Sequence, residues 1–400
     1  MKIGILSSGG DCGGLNAAIK GAARMAHHHG FTPFLITNGY AGLYNLIDTE
    51  RLVNLTEERL EAFPVYLAGS EAGNSRVKVS KIKDENKYGR IKAGLEKHGL
   101  KALIIAGGDD TGSVVVDLGN QGISCIHVPK TMDLDLMPHS VGGDSTINRI
   151  ADAIRDLHTT SRTHNRVLVL EVFGRYAGHT AFRGGVAGEA DAVLIPEIPV
   201  DFDVLYRHVR ERYIRRLKAS DNQKASVSIV VAEGLRDSSG KELVDESSEP
   251  DAFGHRKLMG AGKYVVKQIE TRMKADEGIK QVFKENGLFV EGIYEIPEVR
   301  DVRPGHLMRC GMTSAYDVNF GLEAGAAAVE LARRGIFGVT AIGLQNGVVQ
   351  YMEVKEAIVQ RHVSEEDVRV FEATGISFGR EPQKIESQVE KVSGRPVRPY

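Results

Sequence analysis

Three short segments gather residue types that could move a phosphoryl group. The first is Ser7-Ser8-Gly9-Gly10-Asp11-Cys12-Gly13-Gly14-Leu15-Asn16. It joins a strand-like apolar run to a helical pattern. Glycines there let a ligand approach the backbone, and the helix start offers unpaired N–H donors, a combination that suits phosphate. It matches neither the Walker pattern nor the spaced dinucleotide fingerprint. A tight strand-to-helix turn would use the same glycines. The second segment runs from Ala106 to Ser113, where Asp109 and Asp110 follow a glycine pair. Adjacent carboxylates can hold Mg²⁺ and help place a phosphate, or they can cap the next helix. The third is Pro129-Lys130-Thr131-Met132-Asp133-Leu134-Asp135. In an extended stretch, Asp133 and Asp135 would project to one side. One carboxylate could then take a proton from a hydroxyl while the other orients it. Lys130 brings positive charge to an anionic substrate. Three such loops in one chain favour a shared site over three unrelated caps.

The elements that must position these loops are legible as alternating patterns. Ile3–Leu6, Pro33–Ile36, Ala102–Ala106, Ile123–Val128, Val167–Val172, Ala192–Ile195, Val227–Val231 and Val339–Leu344 read as strands. Leu15–His28 and the Ala-rich stretch Gly321–Arg334 read as helices. Such alternation predicts an α/β fold of mainly parallel sheets covered by helices. Ligands in such folds bind at the carboxyl ends of strands, which is where the three loops lie. Arg207–Lys218 reads as an amphipathic helix with Val204, Leu205, Val209 and Leu217 inward. His27–His29 fits a helix C-terminus, where imidazolium favours the dipole. From Arg380 onward the chain is polar and carries three prolines, which predicts a surface tail.

Composition narrows the function classes. The 400 residues are enough for two or three lobes with a large core. With 51 basic and 53 acidic side chains the net charge is −2, which favours neither nucleic acid nor an anionic membrane as partner. Cys12, Cys125 and Cys310 lack zinc-ligand spacing and read as reduced thiols of a cytoplasmic protein. No transmembrane span and no secretory signal are expected.

Taken in order, the segments SGGDCGGLNAAI, GNSR at Gly73–Arg76, GGDD, PKTMDLD, EVFGRYAGHTA, VAEG and RPGHLMRCG resemble the 6-phosphofructokinase family over about residues 1–350. The resemblance implies two Rossmann-like lobes with the active site between them. It implies a donor-binding lobe over 1–138 and about 310–350, a sugar-phosphate lobe over 139–309, and a C-terminal extension and tail over 351–400. It further implies that Asp109 holds Mg²⁺, that Gly10 approaches the transferring phosphate, and that Arg76 stabilises charge on it. Asp133 corresponds to the general base, with Thr131 and Asp135 beside it. Phe173, Gly174, Arg175, Glu233, His306 and Arg309 correspond to the sugar-phosphate side. Arg166 and Arg300 correspond to arginines that come from a neighbouring subunit in related bacterial enzymes, which implies a homodimer or homotetramer with shared sites.

Asp110 and Lys130 stand where ATP-using members usually carry glycine, so the resemblance is to pyrophosphate-dependent members. A carboxylate at 110 would charge the space that an α-phosphate needs, and the Lys130 ammonium would pair with pyrophosphate. The expected function is reversible transfer from pyrophosphate to fructose 6-phosphate. Leu134 replaces the usual Asn, Phe173 the usual Met, Gly142-Gly143-Asp144-Ser145-Thr146 the usual Gly-Phe-Asp-Thr, and Cys12-Gly13 the usual Ala-Pro. Leu134 and Phe173 would border the sugar, which leaves another acceptor, such as sedoheptulose 7-phosphate, as an alternative. An ATP-dependent sugar-phosphate kinase and a non-catalytic sugar-phosphate sensor are the others. A nicotinamide dehydrogenase would need the spaced glycine fingerprint, which is missing.

Overall fold

Eleven strands form two sheets in the computed structural model, which describes residues 1–243, 258–385, 387–391, 393 and 394. In chain order they are β1 (Lys2–Ser7), β2 (Thr32–Leu35), β3 (Val53–Asn54), β4 (Leu100–Gly107), β5 (Cys125–Pro129), β6 (Val167–Val172), β7 (Ala192–Leu194), β8 (Val227–Ala232), β9 (Val299–Val302), β10 (Val339–Gln345) and β11 (Val348–Glu353). The seven-stranded sheet has the order β11-β10-β5-β4-β1-β2-β3, and the four-stranded sheet the order β7-β8-β6-β9. Pairing is parallel except at the two edges of the larger sheet, β10 with β11 and β2 with β3. β5, β6 and β8 are buried along their whole length, as parallel strands covered on both faces by helices must be. The fold is α/β, with two mainly parallel, Rossmann-like layers.

One apolar cluster runs through both sheets and joins Ile104 and Val128 to Leu170, Val193 and Val230. Alanines 18, 22, 324, 327 and 328 are buried between Leu15–His28 and the helix Ala315–Arg333. Small side chains there let two long helices pack closely. A second cluster fills the other face of the smaller sheet, with Leu205, Val209, Tyr213 and Leu217 of the helix Phe202–Lys218.

Several boundaries differ from the sequence reading. The Ala-rich helix begins six residues earlier than Gly321, at Ala315, because Ser314 caps it by accepting from Asp317 N. Tyr213 is an inward residue that the basic stretch concealed, while Val204 is only half-buried. β9 and β11 were not anticipated. β9 carries Arg300 and Asp301, and β11 is largely exposed, so neither has a continuous apolar run. The histidine run does end a helix; His27 Nε2 bonds Leu55 O at 2.7 Å and His29 pairs with Glu330.

The stretch after β11 is packed structure. It bridges Leu136 through Gln360 and Ala192 through Ser377, and it buries Val363, Val368 and Phe378. Past Arg380 the described residues are exposed, yet Arg380 binds Glu372 and Glu365 at 2.8 Å each, and Glu381 pairs with Arg207.

Candidate active site

The strand order brings the chemistry together. β5, β4 and β1 are neighbours, so the loops after Pro129, Gly107 and Ser7 emerge side by side. β8, β6 and β9 are neighbours in the other sheet, so Glu233, Phe173-Gly174-Arg175 and the turn Gly305–Arg309 emerge together.

On the first side, the glycine loop leaves β1 with Ser8 N on Ala106 O at 2.9 Å and Gly9 N on Ser75 O at 3.2 Å. A cleft of about 340 Å³ opens there, lined by Gly9, Gly10, Asp11, Asn74, Arg76, His306 and Arg309 among others. A Cβ at Gly10 would lie 2.5 Å from Arg309 Nη1, so backbone and guanidinium approach closely there. Lys130 is 4% exposed, and its ammonium donates to Gly10 O. Burial pushes the Lys130 pKa down. The Gly107 turn is fixed from below. Lys130 N (2.9 Å) and His127 Nε2 (2.8 Å) both donate to Gly107 O. Burial holds His127 at about 4, so it is neutral and its Nδ1 accepts from Thr340 Oγ1 at 3.0 Å.

Asp109 opens the helix Asp109–Asn120 and is exposed; Gly108, not a carboxylate, occupies the N-cap. Asp110 forms an ion pair with Lys78 at 3.2 Å. Its charge is therefore offset, where the sequence reading had a lone repelling carboxylate. Lys78, two residues after Arg76, is a site residue that the reading missed; only its closeness to the GNSR segment could have signalled it.

The catalytic-loop candidates are not in an extended stretch, contrary to the expectation. Leu134, between the two carboxylates, has φ 56°. Thr131 Oγ1 ties the turn instead, donating to Asp135 Oδ1 and accepting from Asp133 N, both at 3.1 Å. Asp133 Oδ1 is shielded from solvent and has no partner among the described residues. Burial, then the neighbouring Asp135 carboxylate, pushes Asp133 up to about 7. Burial followed by the Asp109 charge raises Asp135. Leu134 is 6% exposed, and its side chain occupies the space that a Cβ at Gly143 would need. The leucine and the glycine are thus complementary, and Leu134 is core packing where it was expected to border a sugar. Asp317 is buried and accepts from Gly142 N (2.9 Å), Ser145 N (2.7 Å) and Ser145 Oγ (2.6 Å), fixing the start of the helix Gly143–Thr163.

On the second side, Arg309 spans the cleft. Its Nη1 donates to Asp11 O at 3.2 Å, and its Cζ lies 4.7 Å from the Phe173 ring centroid. His306 meets Phe173 edge-on at 6.1 Å. Gly174 has φ 126°, and Arg175 Nε lies 3.4 Å from Glu242 Oε1. Burial raises the Glu233 pKa, opposed first by Arg303. Arg303, also missed, lies 3.0 Å from the buried Glu171 and 3.7 Å from Glu233.

Arg166 and Arg300 are elsewhere. Arg166 precedes β6 and Arg300 pairs in register with Leu168 at its start, so both lie at the amino end of the smaller sheet. Six residues of strand put them roughly 20 Å from the cleft end. Both bond Glu298.

Among the described residues no group of three or more His, Cys, Asp or Glu side chains forms a metal cage. Magnesium needs none, since it binds through one or two carboxylates, substrate phosphates and water. The exposed Asp109, near enough to Asp133 and Asp135 to raise both, fits that role.

Known proteins resemble this chain. The family model described as Phosphofructokinase matches residues 2–332. The chain is 33% identical over 341 residues to a pyrophosphate--fructose 6-phosphate 1-phosphotransferase of Dictyoglomus thermophilum, covering 85% of this chain and 88% of that protein. It is 36% identical over 343 residues to an ATP-dependent 6-phosphofructokinase of Chloroflexus aurantiacus, covering 84% and 86%. A solved pyrophosphate-dependent phosphofructokinase from Nitrosospira multiformis superposes with a TM-score of 0.70 at 21% identity, over 99% of each chain, which bears on the fold. No helix among the described residues is long and apolar enough to cross a membrane.

Proposed function

The chain belongs to the phosphofructokinase family, and on that premise we propose that it catalyses reversible transfer of a phosphoryl group from pyrophosphate to the 1-hydroxyl of fructose 6-phosphate. Asp133 acts as general base. A carboxylate near pKa 7 is strong enough to take a hydroxyl proton and still ionised in useful amount at neutral pH. Asp135 and Thr131 orient it. Glu233, His306, Arg309, Gly174, Arg175 and Phe173 hold the sugar and its resting phosphate. Arg76 and Lys130 take up charge on the donor, since phosphoryl transfer is chiefly positioning and electrostatics. Asp109 would hold Mg²⁺, which supplies neutralisation of the donor phosphates when bound. Arg166 and Arg300 reach a neighbouring chain's sugar phosphate, in a homodimer or homotetramer.

The observation that carries the donor assignment is the buried Lys130 ammonium on Gly10 O, beside a small polar cleft. A compact, highly charged donor makes the most of a fixed ammonium. Initial rates with pyrophosphate and with ATP, each against fructose 6-phosphate and sedoheptulose 7-phosphate, test the reading. Preference for ATP would sink the donor assignment; preference for the seven-carbon sugar would sink the acceptor. A second reading, ATP as donor, is favoured by the Asp110–Lys78 pair, which weakens repulsion of an α-phosphate. The same rates decide between them.

A further inference from the structure

The loop carrying Asp133 and Asp135 is held from one side by residues 357–363, which lie beyond the span of the family match. Arg361 N donates to Asp135 O at 2.7 Å, and Met137 N donates to Ala357 O at 3.1 Å. Gln360 bridges Leu136 in antiparallel fashion. Arg361 Nη2 donates to Leu134 O at 2.8 Å. The same short strap is fastened to the second side of the cleft. Arg361 O meets His179 Nε2 at 3.1 Å, and Val363 N donates to Glu197 Oε1 at 2.9 Å. Glu197 also accepts from Gly178 N through both oxygens, at 3.0 and 3.1 Å.

Leu134 is the residue that most needs holding. Its left-handed backbone is disfavoured for a residue with a branched side chain. A relaxed Leu134 would rotate the flanking peptides and re-aim both carboxylates. A guanidinium bond to a peptide carbonyl is charge-assisted and directional. It falls on the carbonyl of the strained residue itself.

We propose that Arg361 is a positioning residue for phosphoryl transfer, clamping Leu134 in its left-handed conformation so that Asp133 and Asp135 face the acceptor hydroxyl. The clamp rests on the reading of Asp133 as base. Because the strap also touches the sugar side through His179 and Glu197, it sets the catalytic loop relative to the acceptor.

The test compares the full-length wild type with Arg361→Met, Arg361→Lys, Leu134→Asn and the double variant Arg361→Met/Leu134→Asn. Arg361→Met should lower kcat about 10- to 100-fold, the scale of a small misplacement. KM for both substrates should stay within about twofold, since no atom of Arg361 is assigned to substrate. Arg361→Lys should restore part of kcat, as one donor replaces a planar fork. Asparagine adopts the left-handed region more readily than leucine. The Arg361→Met loss should therefore be smaller in the Leu134→Asn background. Amide hydrogen exchange should rise over residues 133–137 in Arg361→Met and remain unchanged in β5. Wild-type exchange in that loop, or wild-type kcat, overturns the clamp. So does a fall in kcat matched by equal changes in KM and melting temperature, which would mean general loosening. An inactive wild type overturns the proposed function instead, and loop exchange still decides whether Arg361 holds Leu134.

Discussion

The four-stranded sheet carries arginines at both ends, and the two ends are in different electrostatic states. At the carboxyl end, Arg309 lies over an aromatic face and donates to a backbone carbonyl, with raised carboxylates nearby. At the amino end, Arg166 and Arg300 close on one carboxylate, Glu298, whose pKa they hold down. The first end is a cleft with charge left to receive an anion. The second is a compensated cluster, with both guanidinium groups already paired to Glu298. The difference teaches that arginines at opposite ends of one sheet cannot meet on one ligand within a single chain, so the proposed shared site needs a second copy.

The largest way to break the comparison lies at the cleft. Asp133→Ala should cut kcat by roughly 10²–10⁴, the usual scale of a lost general base, with little change in sugar binding. A steady-state assay that finds wild-type turnover removes Asp133 from the role.

Mixing inactive Asp133→Ala chains with inactive Arg300→Ala chains should recover activity after subunit exchange, because some hybrid sites then hold both groups. Proven hybrids without activity would confine each site to one chain.

A smaller effect concerns the donor side. Lys130→Gly should lower pyrophosphate kcat/KM by about ten- to a hundredfold, as expected from losing a charge-assisted contact of roughly 1.5–3 kcal/mol. Adding Asp110→Gly should shift the donor ratio towards ATP, less steeply than a lone carboxylate would, since Lys78 already offsets Asp110.

The two ends should also titrate in opposite senses. Asp133 has a folded pKa near 7, above its unfolded value, so ionising it costs stability as pH rises through that window. Asp133→Asn should therefore raise the melting temperature most above pH 7 and hardly at all near pH 4. The acidic limb of wild-type kcat should have its midpoint near pH 7. Glu298 is depressed, so its contribution is present above the unfolded pKa and lost as pH falls through the folded one. Glu298→Gln should destabilise at neutral pH and lose that effect in acid. Thermal melts across pH that show the same sign for both variants would erase the contrast.

The smallest change tests the packing behind the loop. Gly143→Ala pushes a methyl into Leu134 and should cost about 1–3 kcal/mol, the scale of overpacking. Leu134→Ala in the same chain should recover part of it, read by denaturant midpoint.

Much of the candidate site was legible because most of its contributing loops follow a strand in sequence. A buried strand announces itself as an apolar run, and a glycine-rich or acidic break after it marks the carboxyl end. Ser7–Asn16, Asp109 and Asp133 were found in this way. Lys78, Arg303 and Asp317 were not, because each acts on partners far along the chain. Leu134 was misjudged for a related reason. Its burial over Gly143 follows from where the helix Gly143–Thr163 begins, and Asp317 fixes that start from a third helix.

By itself the sequence determined the strand–loop–helix order, the α/β class and the family, since local periodicity and ordered motifs need no knowledge of distant contacts. Only the tertiary structure decided how the charges are shared. Lys78 reaches Asp110 across 32 residues, and Arg361 reaches Leu134 across 227. Arg166 meets Arg300 on Glu298 because β6 and β9, the first and last strands of the four-stranded sheet in chain order, lie side by side. Hydrogen bonds and ion pairs act over a few ångströms of space whatever the separation along the chain, so their partners are set by packing and leave no pattern in the sequence.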